Sequence, residues 1–207
     1  MDAAADVLAS RPESEICLQC GLCCTGAIFD YAPLTAAELP FLVSGKFARW
    51  QDKAGFAFPC SQLDGACCTS YHDRPSVCRR YRCEVLVRLA DGRLTRDDAA
   101  RQVGRAGQLV NSALAAARDR SATIGELRRA FQSGQDGWAE AGPDERAALA
   151  PLRLALAALE RHLDGHFRRP HQRQMAELPG ATEASPASAE QPCSPPALRR
   201  ARAVNRR

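Results

Sequence analysis

Ten cysteines are the residues of this 207-residue sequence best equipped for chemistry. Nine of them, Cys17, Cys20, Cys23, Cys24, Cys60, Cys67, Cys68, Cys78 and Cys83, crowd into one stretch, and only Cys193 stands apart. Thiols can pair as disulfides, act as nucleophiles or, once deprotonated, hold a soft metal ion. Spacing separates these uses. Cys17, Cys20 and Cys23 recur at three-residue steps, so a tight loop could turn several sulfurs toward one ion, whereas disulfide geometry gives no reason for such a repeat. Cys23 and Cys24 are adjacent, and neighbouring side chains on an extended chain face opposite ways, so the two are expected to serve different centres.

The kind of metal stays open at this level. A structural zinc site made only of cysteine usually takes two C-x2–4-C knuckles, and Cys78-x4-Cys83 is a loose second one. The C-x2-C-x2-C run is closer to the bacterial ferredoxin spacing, but Thr25 and Gly26 replace its fourth cysteine and proline. Zinc or an iron–sulfur cluster bound by four thiolates would be anionic, and Arg74, Arg79, Arg80 and Arg82 lie close enough in sequence to offset that charge. His162 and His166, spaced i, i+4, read as a surface pair rather than half a metal site, and His72 as a turn residue.

Both halves of the cysteine pattern resemble a known family. Cys17-Leu18-Gln19-Cys20-Gly21-Leu22-Cys23-Cys24 is similar to the signature of the YkgJ-type CxxCxxCC cysteine-cluster proteins, described as zinc- or iron-chelating. Pro59-Cys60, Leu63, Cys68-Thr69-Ser70-Tyr71, Arg74-Pro75, Cys78-Arg79 and Tyr81-Arg82-Cys83 resemble the second half of that pattern, with Ser70 where an aliphatic residue is usual. Carried over by position, the resemblance implies Cys17, Cys20, Cys23, Cys24, Cys60, Cys68, Cys78 and Cys83 as metal ligands, with Cys67 an extra. The implied cofactor is an iron–sulfur cluster or zinc in a structural, redox or sensing role. Flagellin lysine N-methylases carry a related signature, so the alternative is a cluster-dependent protein lysine N-methylase, although no dedicated S-adenosylmethionine motif accompanies it. No P-loop, dinucleotide fingerprint, GxSxG elbow or convincing carboxylate pair is present.

The elements that must position these thiols follow from the remaining sequence. Aromatic residues make up 6% and the net charge is +4, so the expected class is mainly α with irregular cysteine-rich loops: a small metal-stabilised domain plus C-terminal helices, cored by Ala and Leu. Thr35-x-x-Glu38 opens a short helix toward Leu42, and the aromatic stretch from Phe47 to Phe58 forms a hairpin or extended segment beside the cysteines. Asp73 caps a helix that carries Val77, Tyr81, Val85 and Leu89 and stops before Gly92, with a strand over 85–89 as the competing reading. Thr95-x-x-Asp98, Thr123-x-x-Glu126 and Pro143 open three further helices. The first presents Val103, Val110, Leu114 and Ala117, and the last Leu152, Leu156, Leu159 and Leu163, with Pro151 kinking or splitting it.

These signals divide the chain into a flexible leader (1–14), a cysteine-cluster metal-binding domain (15–90), a helical region packing on it (91–175) and a disordered basic tail (176–207). Cys193 is expected to be a free tail thiol. The acidic start Met1-Asp2 and the lack of an apolar run of bilayer length lead to the expectation of a cytoplasmic protein without membrane contact. No dense basic surface points to nucleic acid, and no partner protein is indicated.

Overall fold

A computed structural model describes residues 12–65 and 67–172, with the side chains of 12–14 left undescribed. The expectations for the start of the leader, for Cys193 and for the basic tail lie outside the described residues.

The chain is mainly helical, with two small sheets. Helix α1 (Pro12–Cys20) comes first, followed by strand β1 (Tyr31–Pro33), a 3-10 turn (Ala36–Glu38) and the short helix α2 (Pro40–Val43). Strand β2 (Gly55–Ala57) pairs antiparallel with β1, and β3 (Leu63–Asp64) with β4 (Cys67–Cys68). Helices α3 (Ser76–Arg80), α4 (Glu84–Ala90), α5 (Arg96–Ala116), α6 (Ile124–Ser133) and α7 (Pro143–His166) follow, and a 3-10 turn (Pro170–Gln172) ends the described chain.

The long helices behave as their sequences dictate. The Thr95 hydroxyl accepts a hydrogen bond from the Asp98 amide, and Thr123 with Glu126 completes a reciprocal capping box, so orphan amides at two helix starts are satisfied locally. Gly134, in the left-handed conformation at φ 70°, ends α6. Helices α5 and α7 pack along one another, burying Ala99, Ala106, Leu109 and Ala113 against Leu156, Leu159 and Leu163. The small alanines let the two backbones approach. Val103, Val110 and Leu114 flank this seam and are only partly buried, so the apolar face of α5 is centred on alanine rather than on the valines. Pro151 does not split α7, which runs unbroken to His166. It lies two turns inside, where one lost amide is outweighed by the apolar stripe that follows.

The expected continuous helix through Val77, Tyr81, Val85 and Leu89 is interrupted. Tyr81 is extended (ψ 133°), as is Cys83 (ψ 169°), so α3 and α4 are separate. Val77 packs into an aromatic core with Phe47, Phe56 and Phe58, whereas Val85 enters the helical core. One straight helix cannot serve two cores on different sides. The start also differs: Pro75 is the N-cap of α3, and Asp73 instead pairs with Lys46 at 3.7 Å. The Phe47–Phe58 stretch is extended at its end, where Phe56 bridges Arg49 and pairs with Ala32. The expected helix from Thr35 toward Leu42 is divided into the 3-10 turn and α2 at Pro40, which supplies no amide.

Candidate metal centre

Cys17 and Cys20 lie on the last turn of α1, not in a loop. The i, i+3 spacing sets them on neighbouring positions of one helix face. Gly21, at φ 64°, then ends the helix, and the following turn is tied by Thr25 N to Gly21 O (2.9 Å), Gly26 N to Cys23 O (3.3 Å) and Ala27 N to Leu22 O (3.1 Å). This compact turn carries Cys23 and Cys24. The Cys60 amide donates to the Cys24 carbonyl at 2.8 Å, joining the two halves of the cysteine pattern directly. Cys68 enters through β4, where it faces Leu63, whose amide in turn reaches the Cys60 carbonyl at 3.0 Å. Cys78 comes from α3 and Cys83 from the extended joint before α4.

Cys17, Cys20, Cys23, Cys24, Cys60, Cys68, Cys78 and Cys83 all line one cleft of about 310 Å³, and Cys67 does not. All nine described cysteines are free thiols. Among the described residues no three His, Cys, Asp or Glu side chains already form a ready-made metal cage, so the sulfurs gather around a common space without closing on a point. The walls are largely apolar, with Ile16, Leu22, Phe29, Phe58, Val77 and Tyr81 among them.

Burial in these walls sets the chemistry of the thiols. It pushes Cys20, Cys24 and Cys78 up to about 12 and raises Cys17, Cys60 and Cys83, with Cys23 raised well above the ordinary thiol value. Neighbouring thiols oppose one another's ionisation in a definite pattern. Cys23 feels Cys20, Cys83 and Cys17 most, after burial, while Cys24 feels Cys60, Cys78 and Cys68. The two sets overlap, since Cys17 bears on both and Cys24 on Cys23.

The basic residues divide as well. Arg74 lines the cleft, and its charge favours the thiolate forms of both Cys17 and Cys78; Arg82 does the same for Cys17. Arg74 is fixed by its Nε bond to the Tyr71 carbonyl (2.8 Å) and by its guanidinium lying 3.6 Å from the Tyr71 ring centre. Arg79 and Arg80 are exposed, and neither lines the cleft. His72 is exposed and outside it. His162 and His166 sit with ring centres 4.7 Å apart on α7, and His162 Nε2 meets the Gln102 carbonyl at 3.0 Å. They are half-buried packing residues, which corrects the reading of a surface pair, and His162 makes the contact with α5.

Several supporting residues carry no sequence signal of this role. Glu38 accepts from the amide of Ser76 (2.6 Å) at the start of α3, as well as from Thr35, and these bonds hold its carboxyl at about 2. It thereby anchors the helix that presents Cys78. The Tyr81 ring meets Phe29 edge-on at 5.0 Å, and its hydroxyl lies 3.5 Å from Gln172 Oε1. On the other side, Phe167 O accepts from the Glu84 amide (2.9 Å), one residue past Cys83. A chain of polar groups, buried at Arg128, Glu160 and Arg168, runs from Asp30 through Arg128, Gln132 and Glu160 to Arg168, linking the loop after Cys24 to the end of α7. Arg128 also donates to the Gly26 carbonyl at 3.2 Å, where a Cβ on Gly26 would stand 3.3 Å from the Gly125 backbone.

Residues 16–101 match the family model CxxCxxCC, described as a "putative zinc- or iron-chelating domain". No curated protein and no solved structure gives a significant match. The matched segment begins in α1 and ends within α5, and so takes in every thiol of the cleft. Over residues 16–101, then, this chain is similar to the CxxCxxCC family, described as zinc- or iron-chelating.

Proposed function

We propose that this protein holds zinc or an iron–sulfur cluster through Cys17, Cys20, Cys23, Cys24, Cys60, Cys68, Cys78 and Cys83, and that the metal makes the cysteine region fold into its working form. The observation that carries this reading is that all eight, from α1, its following turn, Cys60, β4, α3 and the joint before α4, line a single cleft. An all-thiolate donor set suits zinc or iron–sulfur chemistry, and not the oxygen-seeking calcium or magnesium ions. Bound metal would supply a positive centre that converts neutral, buried thiols into thiolates, and the residues present fit that task. Arg74 and Arg82 offset the resulting anionic charge, and the apolar walls keep competing water away.

Because burial raises these thiols, each ligand gives up its proton to solvent as the metal–sulfur bond forms, so affinity falls as the solution is acidified. Structural zinc sites contribute on the order of 10 kcal/mol, comparable to the whole stability of a domain. A structural role with redox or sensing capability follows if the metal is an iron–sulfur cluster. Free thiols in this number suit a reducing compartment, which favours a cytoplasmic location. No described helix is long and apolar enough to cross a membrane. The test is elemental analysis with absorption and electron paramagnetic resonance spectra on full-length protein purified without oxygen. Stoichiometric zinc or iron is expected; metal-free protein with eight freely alkylated thiols would overturn the reading.

A further inference from the structure

The cleft is lined by eight sulfurs, but two different cores present them. Cys20, Cys23 and Cys83 pack on the helical core with Ile16, Leu22 and Val85, whereas Cys60 and Cys78 pack on the aromatic core with Phe47, Phe56 and Phe58. Backbone bonds complete each set. Cys17 is fixed beside Cys20 by the last turn of α1, and Cys24 is bound to Cys60 through its carbonyl. Cys68 reaches Cys60 through Leu63. The chain leaves the helical core, which still holds Ala27 and Ile28, and enters the aromatic core at Ala32.

We propose that the eight thiols divide into two neighbouring four-thiolate centres, one built from Cys17, Cys20, Cys23 and Cys83 and the other from Cys24, Cys60, Cys68 and Cys78. This rests on the metal-binding reading above and deepens it by giving number and ligand sets. Each centre draws thiols from both halves of the cysteine pattern, so neither half is a self-contained knuckle. Arg74 lines the cleft that both sets share. When a zinc ion enters either set, four metal–sulfur bonds form and the thiol protons leave to solvent. No electron is transferred. Cys67 belongs to neither centre; it is exposed and lies outside the cleft.

The test uses the full-length, reduced chain freed of metal and titrated with Zn²⁺ without oxygen, followed by thiol alkylation. Intact molecules are sorted by zinc count and their protected cysteines mapped. Two zinc ions are expected at saturation. In molecules carrying one ion, Cys83 should be protected together with Cys17, Cys20 and Cys23, or Cys60 together with Cys24, Cys68 and Cys78, while Cys67 alkylates throughout. Cys83→Ser and Cys78→Ser should each halve the capacity in complementary fashion, and the double variant should bind none. The one-zinc mapping needs no variant, so a folding failure of either substitution leaves the proposal testable. A capacity of one, the absence of one-zinc molecules, or protection of Cys83 alongside Cys60 overturns the division while metal binding stands. Failure to bind zinc or iron at all would instead sink the metal-binding reading itself.

Discussion

The cysteine region and the helical region are held together by different physics. From α5 to α7, long helices carry their own caps, and leucine and alanine stripes close on each other as a dry seam. From α1 to α4, strands have two or three residues, helices are mostly short, and turns hold the thiols. Such short pieces cannot pay the entropy of ordering through local hydrogen bonds alone. The aromatic core around Phe56 and, on the reading proposed above, metal held by the sulfurs must supply the rest. The lesson is that the helical region is specified by burial and the cysteine region, on the reading proposed above, by ligation as well, and that they meet in the shared apolar core of Ile16, Leu22, Val85 and Leu86 and along the polar chain from Asp30 to Arg168.

Removing the metal should break the comparison most sharply. With a strong chelator under reducing conditions, the cysteine region should lose amide protection over 15–83 while α5 and α7 keep most of theirs, a loss on the order of 10 kcal/mol to the first region. Hydrogen exchange read by mass spectrometry checks this; uniform loss across both regions would show that they fold as one unit.

Next in size is the junction. Arg168 and Glu160 are each only 1% exposed, and Arg168 Nη1 lies 2.7 Å from Glu160 Oε2 and 2.9 Å from Asp164 Oδ1. Arg168→Met strips Glu160 of its guanidinium, and removing one partner of a buried pair costs about 3–5 kcal/mol. Denaturant unfolding measures it. Leu159→Ala, by contrast, opens a cavity in the helical seam and should cost about 2–5 kcal/mol while leaving metal content unchanged. Elemental analysis beside the melting curve distinguishes a local defect from one that reaches the thiols.

A smaller, pH-dependent effect comes from Glu38. Its carboxyl is held at about 2 by Ser76 and Thr35, so its contribution is present above the ordinary 4.5 and fades as pH falls toward 2. Glu38→Gln should flatten that acid dependence and loosen α3, read as faster hydrogen exchange of its amides in metal-loaded protein.

Much of this molecule was legible from residue types and spacing. Caps at Thr95 and Thr123 act on local amides, so they form whatever surrounds them, and the leucine repeat of α7 needs only a partner surface. The family pattern separated Cys68 from Cys67, and Cys67 does lie outside the cleft. The break between α3 and α4 was not legible, because Val77, Tyr81, Val85 and Leu89 satisfy a helical period perfectly well. Only the presence of two cores forces the chain to extend at Tyr81. The Asp30–Arg128–Gln132–Glu160–Arg168 chain was equally hidden, since it joins ordinary polar residues from distant segments.

The sequence by itself determined the stock of thiols, the helical character and the positions of the long helices, because these depend on side-chain chemistry and on contacts within a few residues. Tertiary structure alone decided which thiols keep company, that Arg74 rather than Arg79 or Arg80 reaches the cleft, and that Glu38 anchors the helix bearing Cys78. Those outcomes depend on where separate segments come to rest, and that is set by the packing of two cores rather than by any local preference.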